Sequence, residues 1–103
     1  MPQDYFPSGP FLSQWPDHGE FDVLREDFLL GFAERTARAY KTDLEEFWDW
    51  CVAQEVDPLT AADVEVAQFE VSLTAGDLAA SSVARRLSAV RGFIRHIHGS
   101  RAK

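Results

Sequence analysis

The chain has one cysteine, one methionine and no apolar run near the ~20 residues that a membrane-spanning helix needs. Each shortage removes a class of protein. Cys51 has no second cysteine to pair with, so no disulfide framework and no oxidising compartment are implied. No series of basic, apolar and then small residues opens the chain, so no secretory leader is read, and a soluble cytoplasmic protein without membrane contact is expected. Metal ligands are equally scarce. His96 and His98 stand close together, but no third or fourth ligand is spaced to complete a site, and neither metal nor cofactor is expected. The scattered acids form no catalytic pair, and Ser, His and Asp fall into no nucleophile motif. At 103 residues there is room for one domain with one core, large enough to fold without staples.

Charge of one sign is missing from long stretches. Residues 42–77 carry ten acids and no Lys or Arg, whereas residues 78–103 carry six bases and no acid. A short basic cluster, Arg35, Arg38 and Lys41, precedes the acidic block. The formal net charge of −7 argues against a nucleic-acid partner only if it is spread evenly. Screening acts over about 8 Å at physiological salt, so a partner meets the local patch. The acids are expected to face away from any duplex, or toward a neighbouring protomer.

Four of the five prolines fall within residues 1–19, with Gly9 and Gly19. Proline lacks the backbone donor that regular structure uses, so an irregular arm is read there, carrying Tyr5, Phe6, Phe11 and Trp15. Beyond it the apolar periodicity is helical. A first helix is predicted over about Glu20 to Leu30, with Phe21, Leu24, Phe28 and Phe32 on one stripe. A second, over about Ala33 to Gln54, places Ala33, Ala37, Tyr40, Leu44, Phe47, Trp48 and Cys51 on its apolar face. Asp57-Pro58 ends that region. Thr60 and Asp63 resemble a capping pair for a third helix, about Ala61 to Ala75. Val64, Ala67 and Val71 on one side of it, and Val66, Phe69 and Leu73 on the other, predict a helix wedged between neighbours. The fourth runs over about Ala80 to His98, with Val83, Leu87, Val90, Ile94 and Ile97 as its core stripe. Its opposite face holds Ser81, Arg85, Ser88, Gly92, Arg95 and His96, and Gly99-Ser100 are read as its release.

Two stretches, in this order and at this separation, carry a resemblance. The first is Phe28-Leu29-Leu30-Gly31 followed by Thr36-x-x-x-Tyr40-x-x-Asp43-Leu44-x-x-Phe47-x-x-Trp50-Cys51. The second is Ser81-Ser82-Val83-Ala84-Arg85-Arg86-Leu87-Ser88-Ala89-Val90-Arg91-x-Phe93. Together they resemble the N-terminal core-binding domain of the tyrosine recombinase, or phage integrase, family. The resemblance implies an all-α, compact four-helix SAM-like orthogonal bundle over residues 20–98, preceded by the arm at 1–19 and followed at 99–103 by the start of an interdomain linker. It implies one half of a clamp around double-stranded DNA, whose second and fourth helices approach the major groove and flanking phosphates. A separate catalytic domain, which this sequence does not include, would carry out strand exchange, so the chain is expected to be no enzyme by itself and to be a piece of a longer protein. The other implied partners are that catalytic domain and further copies assembled on DNA.

The DNA-binding residues expected on this basis are Thr36, Arg38 and Lys41 on the second helix, and Ser81, Ser82, Arg85, Arg86, Ser88, Arg91 and Arg95 on the fourth. Arginine neutralises phosphate and grips it with paired hydrogen bonds, and small residues between arginines let a helix backbone come close to DNA. Arg85 is the leading candidate. Other roles stand beside these. Arg38 follows Glu34 by four residues and Lys41 precedes Glu45 by four, spacings that equally serve ion pairs within the helix. Arg86 and Arg91 flank the apolar stripe and equally suit a place over the core rim. Trp50, off the centre of its stripe, is open to a partner contact. The competing reading of the whole chain is an acidic helical protein-interaction module that binds no DNA.

Overall fold

The computed structural model describes residues 18–101. Four helices follow one another: α1 His18–Leu29, α2 Glu34–Gln54, α3 Asp63–Thr74 and α4 Ala80–Arg101, with no strand among the described residues. The all-α, four-helix expectation holds. Most of the predicted arm, with Tyr5, Phe6, Phe11 and Trp15, lies outside the described residues, while His18 and Gly19 already belong to α1. At the other end α4 continues to Arg101, so Gly99 does not end it as expected.

α4 is the central element, packed against α1, α2 and α3. The core gathers Phe21 and Phe28 from α1, Leu44, Phe47 and Cys51 from α2, Val66 and Phe69 from α3, and Val83, Leu87, Ala89, Val90, Phe93, Ile94 and Ile97 from α4. Ala89 and Phe93 lie off the predicted stripe yet are buried, Phe93 against Phe21 and Phe28 of α1, so α4 is buried over a wider arc than its own periodicity indicates. Gly92 belongs to the same contact. A Cβ there would stand 3.1 Å from Phe28 Cζ, so its small size serves the packing of α4 on α1.

The third helix departs from expectation. Val66 and Phe69 are buried, but Val64 is 59% and Val71 66% exposed, so α3 is covered on one side only. Trp50 is also inward: it packs against Phe47 and Phe69, with ring centroids 6.2 and 5.3 Å away.

The connections explain where the helices stop. At the end of α2, Glu55 takes a left-handed conformation (φ 59°), and the Glu55 and Val56 amides donate to the Val52 and Cys51 carbonyls. This closes the last turn as a Schellman motif. Asp57 Oδ1 accepts the Leu59 amide at 2.9 Å, and the resulting turn seats Pro58, Leu59 and Ala61 in the interior. Thr60 does not cap α3, because its hydroxyl lies 3.5 Å from the Asp57 carbonyl. Glu65 instead accepts the Ala62 amide at 2.7 Å, one half of a capping box.

Burial, with Asp57 and Glu65 nearby, pushes the Cys51 thiol up to about 12. The thiolate is the reactive form. Iodoacetamide at pH 8 is therefore expected to label the folded chain at least about a hundredfold more slowly than the urea-unfolded chain. Similar rates by mass spectrometry would contradict the packing of α2.

Candidate nucleic-acid interface

Three arginines of α4, Arg85, Arg86 and Arg91, do not stand apart from the acidic block; they are joined to it. Arg85 Nε and Nη2 donate to Asp43 Oδ2 and Oδ1, both at 2.9 Å. Asp43 is fully buried (0% exposed), whereas the Arg85 side chain is 44% exposed. Arg86 donates to Glu46 at 2.5 and 3.3 Å, lies 3.9 Å from Asp43 and is only 13% exposed. Arg91 reaches Glu70 on α3 at 3.5 Å. Hydrogen bonding to Asp43 and Glu46 holds Arg85 and Arg86 even more firmly in their charged form. Asp43, Glu46 and Glu70 of the acidic block are thus turned toward arginines of α4 within the same chain. A carboxylate on a buried seam needs a cation, and α4 supplies it.

A second ionic cluster lies between α1 and α2. Arg25, buried on the Phe21–Phe28 stripe, reaches Asp22 and Glu45 at 3.2 Å and Glu26 at 3.3 Å, with its guanidinium over the Phe21 ring. Glu45 is thus turned to Arg25, and Lys41 lies 4.0 Å from Glu26 instead of pairing with Glu45. Arg38 does pair with Glu34, at 2.8 Å within the helix. Arg38 and Lys41 share a shallow groove with Leu29, Leu30, Glu26, Glu34 and Ala37. Thr36 is half-buried one turn before Tyr40.

Exposed groups form a row along α4. Ser81, Arg85 and Ser88 follow at helical spacing, and Arg95 continues the row two turns after Ser88. Ser82 is half-buried beside it. Arg95 makes no ion pair among the described residues, and it shares a depression with Arg91, His98 and Asp63. His96 leaves the row for α1, where Nε2 lies 2.8 Å from Asp27 Oδ2 and the ring packs on Phe28. Arg35 is exposed and without an ion pair among the described residues. It belonged to the basic cluster in sequence but was not among the expected contacts; its place next to Thr36, beyond the apolar stripe, was the available signal. No three His, Cys, Asp or Glu side chains converge on a metal-sized site among the described residues. No described helix is long and apolar enough to cross a membrane.

Geometry and ancestry agree on the architecture. The family model for the phage integrase N-terminal SAM-like domain matches residues 29–97, about two-thirds of the chain and nearly all of the α2–α4 assembly. No curated protein and no solved structure gives a significant match. The chain belongs to the phage integrase N-terminal SAM-like domain family.

Proposed function

We propose that this domain binds double-stranded DNA as the N-terminal half of a tyrosine-recombinase clamp, with strand exchange left to a catalytic domain outside this chain. The observation that carries the reading is the exposed face of α4: Ser81, Arg85, Ser88 and Arg95 on a helix of 22 residues that contains no acid. A face of that kind meets the phosphate backbone without like-charge repulsion from its own helix. Thr36, Arg38, Lys41 and the added Arg35 form the α2 side of the grip. Arg91, half-exposed, stands at the edge. Arg86 is left to bridging α4 and α2, since little of it reaches solvent.

Arg35 and Arg95 give the cleanest test, because neither holds the fold together. Duplex affinity measured by fluorescence anisotropy at several salt concentrations is expected to fall steeply with salt. Arg95→Ala and Arg35→Ala should each reduce the slope of log K against log salt by about 0.9, the signature of one lost phosphate contact. Unchanged slopes in both variants would remove these residues from the interface, and salt-independent or absent binding would remove the reading.

A protein-interaction role has its own support in the uncovered α3 row, Val64, Ala67 and Val71, in exposed Val23 on α1 and in exposed Leu30 in the turn after it. On that reading, self-association or binding of the catalytic domain survives Arg95→Ala and is lost with Val64→Asp.

A further inference from the structure

Resting on the DNA-binding reading, we infer that Asp43 is a positioning residue: it holds the Arg85 guanidinium so that its end-on fork faces an acceptor pair on the duplex. A guanidinium has five N–H donors arranged in two forks. Asp43 takes the side-on fork, Nε and Nη2, with two equal bonds of 2.9 Å. The end-on fork, one hydrogen each on Nη1 and Nη2, and the second hydrogen of Nη1 have no partner among the described residues. The exposures divide the pair in the same sense: its carboxylate is sealed at 0%, and its arginine side chain is 44% open.

The surrounding groups fix this arrangement. Arg86, held by Glu46, stands 3.9 Å from Asp43 as a second positive charge beside the carboxylate. Ser81 and Ser88 lie one turn to either side of Arg85, and neither side chain is long enough to cover the fork. An arginine free in solution loses side-chain freedom when it docks on a phosphate or a base. Here that ordering has already occurred on folding. The chemistry that fits the fork is a pair of acceptors side by side: two oxygens of a phosphate, or O6 and N7 of a guanine.

The sign of one substitution separates this role from its opposite. Asp43→Asn removes a negative charge beside the proposed DNA surface, and simple electrostatics would tighten binding. Lost positioning weakens it. With the full chain and a generic duplex at low salt, Asp43→Asn is expected to weaken binding about three- to tenfold, the ordinary cost of ordering one long side chain. Binding is measured at a temperature where circular dichroism shows the variant folded. In NMR spectra the arginine Nε–H signal of Arg85 is expected to be sharp and slowly exchanging in the wild type and to broaden in Asp43→Asn, with Arg95 as the mobile reference.

Should Asp43→Asn fail to fold, Arg85→Lys carries the test. Lysine keeps the charge but cannot serve a carboxylate and an outward acceptor pair with two forks, so a loss of threefold or more is expected. Wild-type affinity or better in either folded variant overturns the inference while DNA binding stands. A wild-type chain that binds no duplex overturns both. An Arg85→Lys loss equal on A·T-only and G·C-rich duplexes assigns the fork to phosphate; a loss confined to G·C-rich duplex assigns it to guanine.

Discussion

Arg85→Ala is expected to lower the free energy of unfolding by about 3 kcal/mol, read from urea denaturation followed by circular dichroism. The reason lies in the partner and not in the arginine. Asp43 has no exposed surface, and both of its close hydrogen bonds come from Arg85. Removing them leaves a carboxylate in the interior with only Arg86 at 3.9 Å, and that arginine is already engaged by Glu46. An ionised group stranded in this way costs its desolvation without compensation. The internal control is Arg38→Ala. Arg38 pairs with Glu34 at a similar distance of 2.8 Å, but both side chains are open to water, and the expected change is within about 0.5 kcal/mol. Asp43→Asn combined with Arg85→Ala should recover part of the loss, since no charge then remains buried. A loss below 1 kcal/mol for Arg85→Ala alone would mean that water reaches Asp43 and that the α2–α4 seam is looser than described. The same dependence makes Arg85→Ala a poor probe of DNA binding, because it would confound affinity with stability.

The position of Asp43 shows what could and could not be read beforehand. Helical periodicity placed Tyr40, Leu44 and Phe47 on the buried face of α2, and Asp43 stands on that face one turn after Tyr40 and one turn before Phe47. A charged residue on an apolar stripe requires a buried partner, so the signal is present in the sequence, although composition alone counts Asp43 as one of ten acids in a block. Arg25, on the Phe21–Phe28 stripe, repeats the case. The choice of partner lay beyond reach, since Arg85 is 42 residues away and only the packing of α4 on α2 brings it within 2.9 Å. Burial of Ala89 and Phe93, and the contact at Gly92, were hidden for a related reason. One helix's periodicity reports a single face, whereas α4 meets three neighbours. The error on α3 runs the other way. Val64 and Val71 are as apolar as Val66, and nothing local to α3 tells which valine finds a neighbour. Elements and family motif were therefore legible. The ionic seam that sorts the arginines into bridging and outward-facing groups belongs to tertiary structure.

Phe93→Ala is the largest single loss expected, about 3–5 kcal/mol. Phe93 is fully buried where α4 meets α1, with the Phe21 ring 5.3 Å away edge-on and the Phe28 ring at 5.8 Å. Those two rings extend the contact to α2, because Phe21 packs on Trp48 at 4.7 Å and Phe28 stacks on Tyr40 at 6.4 Å. Truncation removes the ring's own burial and also leaves a cavity that stiff aromatic neighbours fill poorly. In a domain of this size the melting temperature should fall by roughly 15–25 °C in differential scanning calorimetry. Phe93→Leu, which keeps most of the volume, should cost about 1 kcal/mol. Val71→Ala, on the uncovered side of α3, should stay within about 0.5 kcal/mol. Phe21→Ala and Phe93→Ala share one contact, so the double variant should lose less than the two single losses together. Strict additivity would mean that the two rings do not touch, and with that contact would go the account of how α1 seats the arginine-bearing helix.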